Sequence, residues 1–114
     1  MNRRGALHDP SMVTYEITAT VRADVCAAYE RFMRERHIPD VLETGAFAAA
    51  SFGRSASGRY RVRYEARDRA ALDRYLADDA PRLRAHFASS LPEGVELSRE
   101  EWTVLARWPA LTDA

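Results

Sequence analysis

The chain has 114 residues, with 17 acidic and 17 basic side chains and a formal net charge of zero. That length suits one domain with a modest core and is too short for two. The balanced charge removes the general field that draws proteins to nucleic acid or anionic membrane, and no apolar run approaches the roughly 20 residues a bilayer-spanning helix needs. Neither partner is therefore expected. Every basic residue is arginine, a bias that coding composition explains better than selection for anion binding.

Residues 1–11 (MNRRGALHDPS) lack periodicity and contain Gly5 and Pro10, so they read as a disordered tail. Met12 is an alternative start, and His8 carries little functional weight. The start has no apolar stretch of the secretory kind, and the single cysteine, Cys26, cannot form an internal disulfide. Both features make the cytoplasm the default location. A single domain is expected over 12–108, with 109–114 as a C-terminal tail.

From Met12 to Val21 the residues alternate, Val13, Tyr15, Ile17, Ala19 and Val21 against Thr14, Glu16, Thr18 and Thr20, which predicts a strand with one buried face. Asp24 stands where a helix start takes an acceptor or a negative charge. Val25, Tyr29, Phe32 and Met33 then form one apolar helical stripe, with Cys26 packed as a small hydrophobe. Pro39 is expected to end this helix, leaving one further turn to Glu43 and a cap at Gly45.

Phe47–Arg54 reads as an alanine-rich strand, Ser57-Gly58 as a turn, and Arg59–Ala66 as a strand with Tyr60, Val62 and Tyr64 on its apolar side. Asp68 caps a second helix whose apolar phase runs through Leu72, Tyr75, Leu76, Ala80, Leu83 and Phe87. Pro81 kinks that helix or starts a new segment. Val95–Trp108 is the last strand. The order β-α-β-β-α-β predicts an α+β, ferredoxin-like fold, a four-stranded antiparallel sheet with two helices on one face. The other face is polar, with Glu16, Thr18, Arg61 and Arg63, joined by Trp102 and by Phe47 or Phe52 as the register decides. Such a face either meets water or closes on a second copy around a partly polar lumen.

Chemistry could be staged where titratable groups gather beside Pro39. His37 can act as an acid or base near neutral pH, and at a helix C-terminus the dipole would hold it protonated. The same placement suits a plain helix cap, for which His37→Ala would cost under roughly 1 kcal/mol. Asp40 could orient the imidazole or cap the turn after Pro39, and Glu35 reads as surface charge. Arg61 and Arg63 could fork a carboxylate or phosphate, or pair across strands with Glu16 and Glu65. Trp102 could line a pocket for a flat apolar ligand or seal a dimer. Tyr15, Tyr29, Tyr64 and Tyr75 sit at core-packing positions. His8, His37 and His86 lack metal-ligand spacing and no Gly-rich phosphate loop occurs, so neither metal nor cofactor is expected.

The runs Val13-Thr14-Tyr15-Glu16, Tyr29-Glu30-Arg31-Phe32-Met33, Arg61-Val62-Arg63-Tyr64-Glu65 and above all His37-Ile38-Pro39-Asp40-Val41-Leu42 resemble a small bacterial family, domain of unknown function 4286. Ala50-Ser51-Phe52, Leu72-Asp73-Arg74-Tyr75-Leu76 and Pro81-Arg82-Leu83-Arg84 fit it too. That family is similar to the dimeric α/β-barrel superfamily, which includes cofactor-independent monooxygenases, muconolactone isomerase-like proteins and stress-response proteins. In several of those groups a histidine at the end of the first helix faces the barrel mouth. The resemblance implies a homodimeric barrel and assigns no reaction. Three roles follow: a barrel that binds a small molecule, an oxygenase- or isomerase-like enzyme for an aromatic or polyketide-like substrate, or a protein-interaction module. In the enzyme reading His37 moves a proton, Arg61 or Arg63 holds an anionic oxygen, and Trp102 packs on the substrate.

Overall fold

A computed structural model describes residues 12–111; the expected tail over 1–11, with His8, lies outside the described residues. Strands β1 (Val13–Val21), β2 (Phe47–Arg54), β3 (Arg59–Ala66) and β4 (Val95–Thr103) form one antiparallel sheet in the order β2-β3-β1-β4. The helical segments α1 (Cys26–Phe32), α2 (Ile38–Glu43), α3 (Arg69–Asp78) and α4 (Ala80–Ser90) supply the apolar stripes that pack on it. This is the ferredoxin-like α+β arrangement.

The period-two pattern determines which sheet face is covered. Tyr15 stands opposite Tyr64, Ile17 opposite Val62 and Ala19 opposite Tyr60, so the apolar sides of β1 and β3 form one surface. Together with Tyr29, Met33, Val41, Leu72 and Leu83 they make the core. Phe47 and Phe52 both join this covered side, packing on Tyr15 and Tyr29 respectively. Their odd spacing would place them on opposite faces of a regular strand. A register shift between Phe47 and Ala49 absorbs the extra residue. Of the aromatics that the register could have sent to the open face, only Trp102 arrives there, opposite Thr14.

Three expectations about local structure need correction. Pro39 does not end the first helix. A π-helical turn over Met33–His37 joins α1 to α2, with the Ile38 N–H donating to the Met33 carbonyl, and Pro39 falls in the first turn of α2. There its missing N–H costs little, because the wider turn has already shifted the bonding register. Asp24 sits in a short 3-10 turn, Ala23–Val25, and bonds Arg22 rather than a helix N–H. The last strand stops at Thr103 because β1, its only partner, begins at Val13 opposite that residue. Other signals hold: Asp68 Oδ1 accepts from the Ala71 N–H at 2.7 Å, Pro81 opens α4 as a separate segment, and Gly45 follows α2 with φ +81°.

The helices cover β4 least. Val95 and Leu97 are half-buried, whereas Arg99 and Glu101 on the same side of the strand are exposed. The seam between α4 and β4 is therefore the place where the interior meets solvent.

Candidate functional site

A cavity of about 30 Å³ lies beneath that seam, between sheet and helices. Its floor is Tyr15, Ile17, Val62 and Tyr64, the covered faces of β1 and β3. Tyr29, Met33 and His37 descend from α1 and the π turn, and Leu83 and Phe87 from α4. Tyr75 of α3, Arg84 of α4, and Leu97 and Arg99 of β4 complete the lining. A space of this size admits one or two water-sized groups.

Two polar atoms in this apolar setting have no protein partner: His37 Nδ1 and Tyr64 Oη, both fully buried. Each belongs to a residue lining the cavity. Tyr64 lies in the sheet floor, and burial pushes its phenol well above the usual tyrosine range. Tyr15, its cross-strand neighbour, is satisfied, since its hydroxyl accepts from Arg84 Nη2 at 2.9 Å.

The structure moves His37 away from the setting expected for it. It is the last residue of a π turn within a continuing helix, not a helix C-terminus, so no terminal dipole acts on it. Its ring packs edge-on to Phe87 at 5.4 Å between centroids and lies 5.9 Å from Phe32. Burial therefore lowers its pKa to about 4; the Asp40 charge opposes this, while His86 and Arg99 add to it. The imidazole is neutral near pH 7, and a surface cap worth under about 1 kcal/mol no longer describes it. The π turn is the physical cause of this placement, because the extra backbone step re-aims the side chains after Met33. Such turns recur at functional sites.

Asp40 is half-buried on α2. No hydrogen bond joins it to His37 among the described residues, and its influence there is electrostatic. Glu16, Arg61, Arg63 and Trp102 are brought together, but on the opposite face of the sheet, around an open hollow of about 490 Å³. Glu16 and Arg63 pair there at 2.9 Å, the cross-strand arrangement that β1–β3 register imposes. The sheet therefore separates the two halves of the enzyme site expected from sequence, and His37 cannot share a ligand with Arg61, Arg63 or Trp102.

Tyr64, Arg84 and Arg99 escaped sequence reasoning as site residues. The signal was present for two of them. Arg99 has the same parity as Val95 and Leu97, so it is a charged residue that continues their half-buried side of the strand. Tyr15 and Tyr64 carry hydroxyls into a core that must supply partners for both. Among the described residues no group of three or more potential metal ligands occurs, and no helix is long and apolar enough to cross a membrane.

The family model for a domain of unknown function, DUF4286, matches residues 12–102. The chain belongs to this family. The DUF4286 match spans every residue that lines the cavity, His37, Tyr64, Arg84 and Arg99 included. No curated protein matches the chain's sequence. Solved structures show the fold. A protein of Shewanella oneidensis superposes with a TM-score of 0.70 at 18% identity, covering 90% of this DUF4286 chain and 100% of its own. SnoaB of Streptomyces nogalater, a cofactor-independent oxygenase, gives 0.70 at 20% identity over 88% of this chain and 99% of its own. A dimeric ferredoxin-like protein from an uncultured marine organism gives 0.57 at 14% identity, covering 84% and 96%.

Proposed function

We propose that this chain binds a small molecule in the helix-side cavity, with His37 and Tyr64 as its inner polar contacts. One observation carries this reading: two buried polar atoms without a protein partner belong to the lining of the same cavity. Native interiors pair such groups, because each one left unmet costs about 1–3 kcal/mol. A bound molecule that meets both is the economical reason to keep them there. Native mass spectrometry of the freshly purified chain tests the idea, with Leu97→Phe as the variant that fills the mouth. Extra mass on the natural chain and none on the variant supports the reading; no retained or added ligand on either overturns it.

The quaternary state belongs to the same proposal. We infer a two-fold homodimer closed over the open sheet face. The exposed large apolar residues among the described ones are Trp102, Leu105, Trp108 and Leu111, all within the last ten described residues. Trp102 lies on the open face itself. The marine relative described as a dimeric ferredoxin-like protein supports the same assembly. In this arrangement Glu16, Arg61, Arg63 and Trp102 serve the interface rather than the ligand. Light scattering at tens of micromolar should give the dimer mass, and Trp102→Ser with Trp108→Ser should weaken it. A natural chain that runs as a monomer would overturn the assembly.

A second reading, proton transfer in the cavity, rests on the buried His37 Nδ1 having no protein partner. An imidazole unprotonated at cellular pH can accept a proton from an enolisable carbon or a phenol and return it elsewhere on the same ligand. The Tyr64 hydroxyl would steady the oxygen, and the Asp40 charge would favour the transient imidazolium. The resemblance to the dimeric α/β-barrel superfamily suggests the test substrates, aromatic or polyketide-like ketones and phenols. Turnover by the natural chain that His37→Gln abolishes would support this reading, and equal rates in both would end it.

A further inference from the structure

We propose that the cavity selects a small organic monoanion, its carboxylate held between Arg84 and Arg99 and a hydroxyl or keto oxygen at its other end held between His37 and Tyr64. This rests on the ligand-binding reading of the preceding section and deepens it. The cavity lining contains no aspartate or glutamate. Its only formal charges near neutral pH are the two guanidinium groups, which belong to opposite walls, Arg84 on α4 and Arg99 on β4.

Neither arginine has a carboxylate within ion-pair distance among the described residues, whereas Arg63 and Arg82 each have one and Arg69 has two. Arg84 is anchored, since its Nη2 donates to Tyr15 Oη at 2.9 Å. Arg99 is fixed by strand pairing opposite Ile17, on the covered side of the sheet. The positive potential reaches inward: Arg99 disfavours a proton on His37, and both arginines draw down the Tyr75 phenol against the burial that raises it. A planar guanidinium fork matches a carboxylate, and two arginines lining one cavity without an internal anion leave that role to the ligand.

The inner end sets the second requirement. A neutral imidazole and a phenol can each donate or accept, so they receive a hydroxyl or a carbonyl oxygen alike. With about 30 Å³ enclosed, only that terminal group enters fully. The apolar middle of the ligand then lies against Ile17, Leu97 and Phe87, which line the same cavity.

The test titrates 4-hydroxybenzoate, 4-hydroxybenzamide and benzoate into the full chain and follows backbone amide spectra. The hydroxy acid should bind at least about tenfold tighter than the neutral amide, the scale of one charge-assisted hydrogen bond. It should also bind more tightly than benzoate, which lacks the inner oxygen. Arg99→Gln should remove about tenfold of the acid's affinity and leave the amide's unchanged. Arg99 is exposed, so the variant should fold, which a thermal melt verifies. Equal binding of acid and amide at the same cavity residues would overturn the anion assignment while leaving the cavity as a ligand site. Absence of shifts around the cavity with all three probes would overturn both.

Discussion

His37 provides a quantitative test of whether the cavity's inner end is dry and neutral. In the unfolded chain its pKa is near 6.5, and burial lowers it to about 4 in the folded protein. Between those values the unfolded chain binds the proton and the folded chain does not, so stability rises with pH across this window. The contribution is complete above about pH 6.5 and is lost as pH falls toward 4. At 1.36 kcal/mol per pH unit, the difference between 6.5 and about 4 is worth roughly 3 kcal/mol. That is a large share of the ~5–15 kcal/mol that separates folded from unfolded states in small domains.

Urea unfolding at pH 7, 6, 5 and 4.5 reads this out when the natural chain is compared with His37→Gln, which keeps a polar side chain that does not titrate. Carboxylates such as half-buried Glu30 and exposed Asp24, both held below their usual range by hydrogen-bonded partners, contribute the same acid loss in both proteins. The difference isolates His37. The natural chain should lose most of roughly 3 kcal/mol more than the variant between pH 7 and 4.5. Parallel curves, with the His37 ring titrating near 6.5 by NMR, would refute the burial argument and the neutral imidazole with it.

Two tyrosines make a paired prediction. Tyr60 donates to Glu30 Oε2, which also accepts from Arg54 Nη1 at 3.0 Å, so Tyr60→Phe should cost about 1–2 kcal/mol in urea unfolding. Tyr64→Phe removes a hydroxyl with no protein partner and should leave the ligand-free chain more stable, by about 1–3 kcal/mol; a loss as large as that at Tyr60 would show that the hydroxyl is already engaged. Gly94 has φ +84°, and a Cβ there would lie 2.8 Å from Val25 Cγ2 and 3.3 Å from Arg22 Cβ. Gly94→Ala should therefore cost at least about 2 kcal/mol, against about 1 at Gly45, which has open space around it; equal losses would contradict the close approach. Leu72→Ala, at a fully buried core position, should cost about 2–5 kcal/mol by thermal or urea unfolding, and a loss under 1 would show that the α3 packing is wrong.

Much of the fold was legible because its signals are local. Alternation along β1 and β3 named the covered face residue by residue, and the Asp68 cap and Pro81 each marked a helix start. The first helix was misread at Pro39, since proline chemistry alone predicts a stop and gives no sign that a π turn will bring Pro39 into a tolerant first-turn position. Phe47 and Phe52 depended on a bulge that alanines do not announce. The site was legible in pieces. His37 emerged as a candidate, yet its surroundings come from Phe87 on α4 and Arg99 on β4, long-range neighbours that spacing cannot supply. Alternation puts Glu16, Arg61, Arg63 and Trp102 on one face, but strand pairing alone does not reveal that His37 reaches the other side of the sheet.

The central claim is that ligands enter the helix side of the sheet and not its open face. Strand β1 contains both reporters, with the Ile17 methyls lining the cavity, Thr14 lining the open-face hollow and Thr18 lining a second hollow on that same face. A methyl-resolved NMR screen of small acidic fragments should shift Ile17, Val62, Leu83 and Leu97 and leave Thr14 and Thr18 in place. Shifts confined to Thr14 and Thr18 would put the ligand on the open face, among Glu16, Arg63 and Trp102, and would contradict this account.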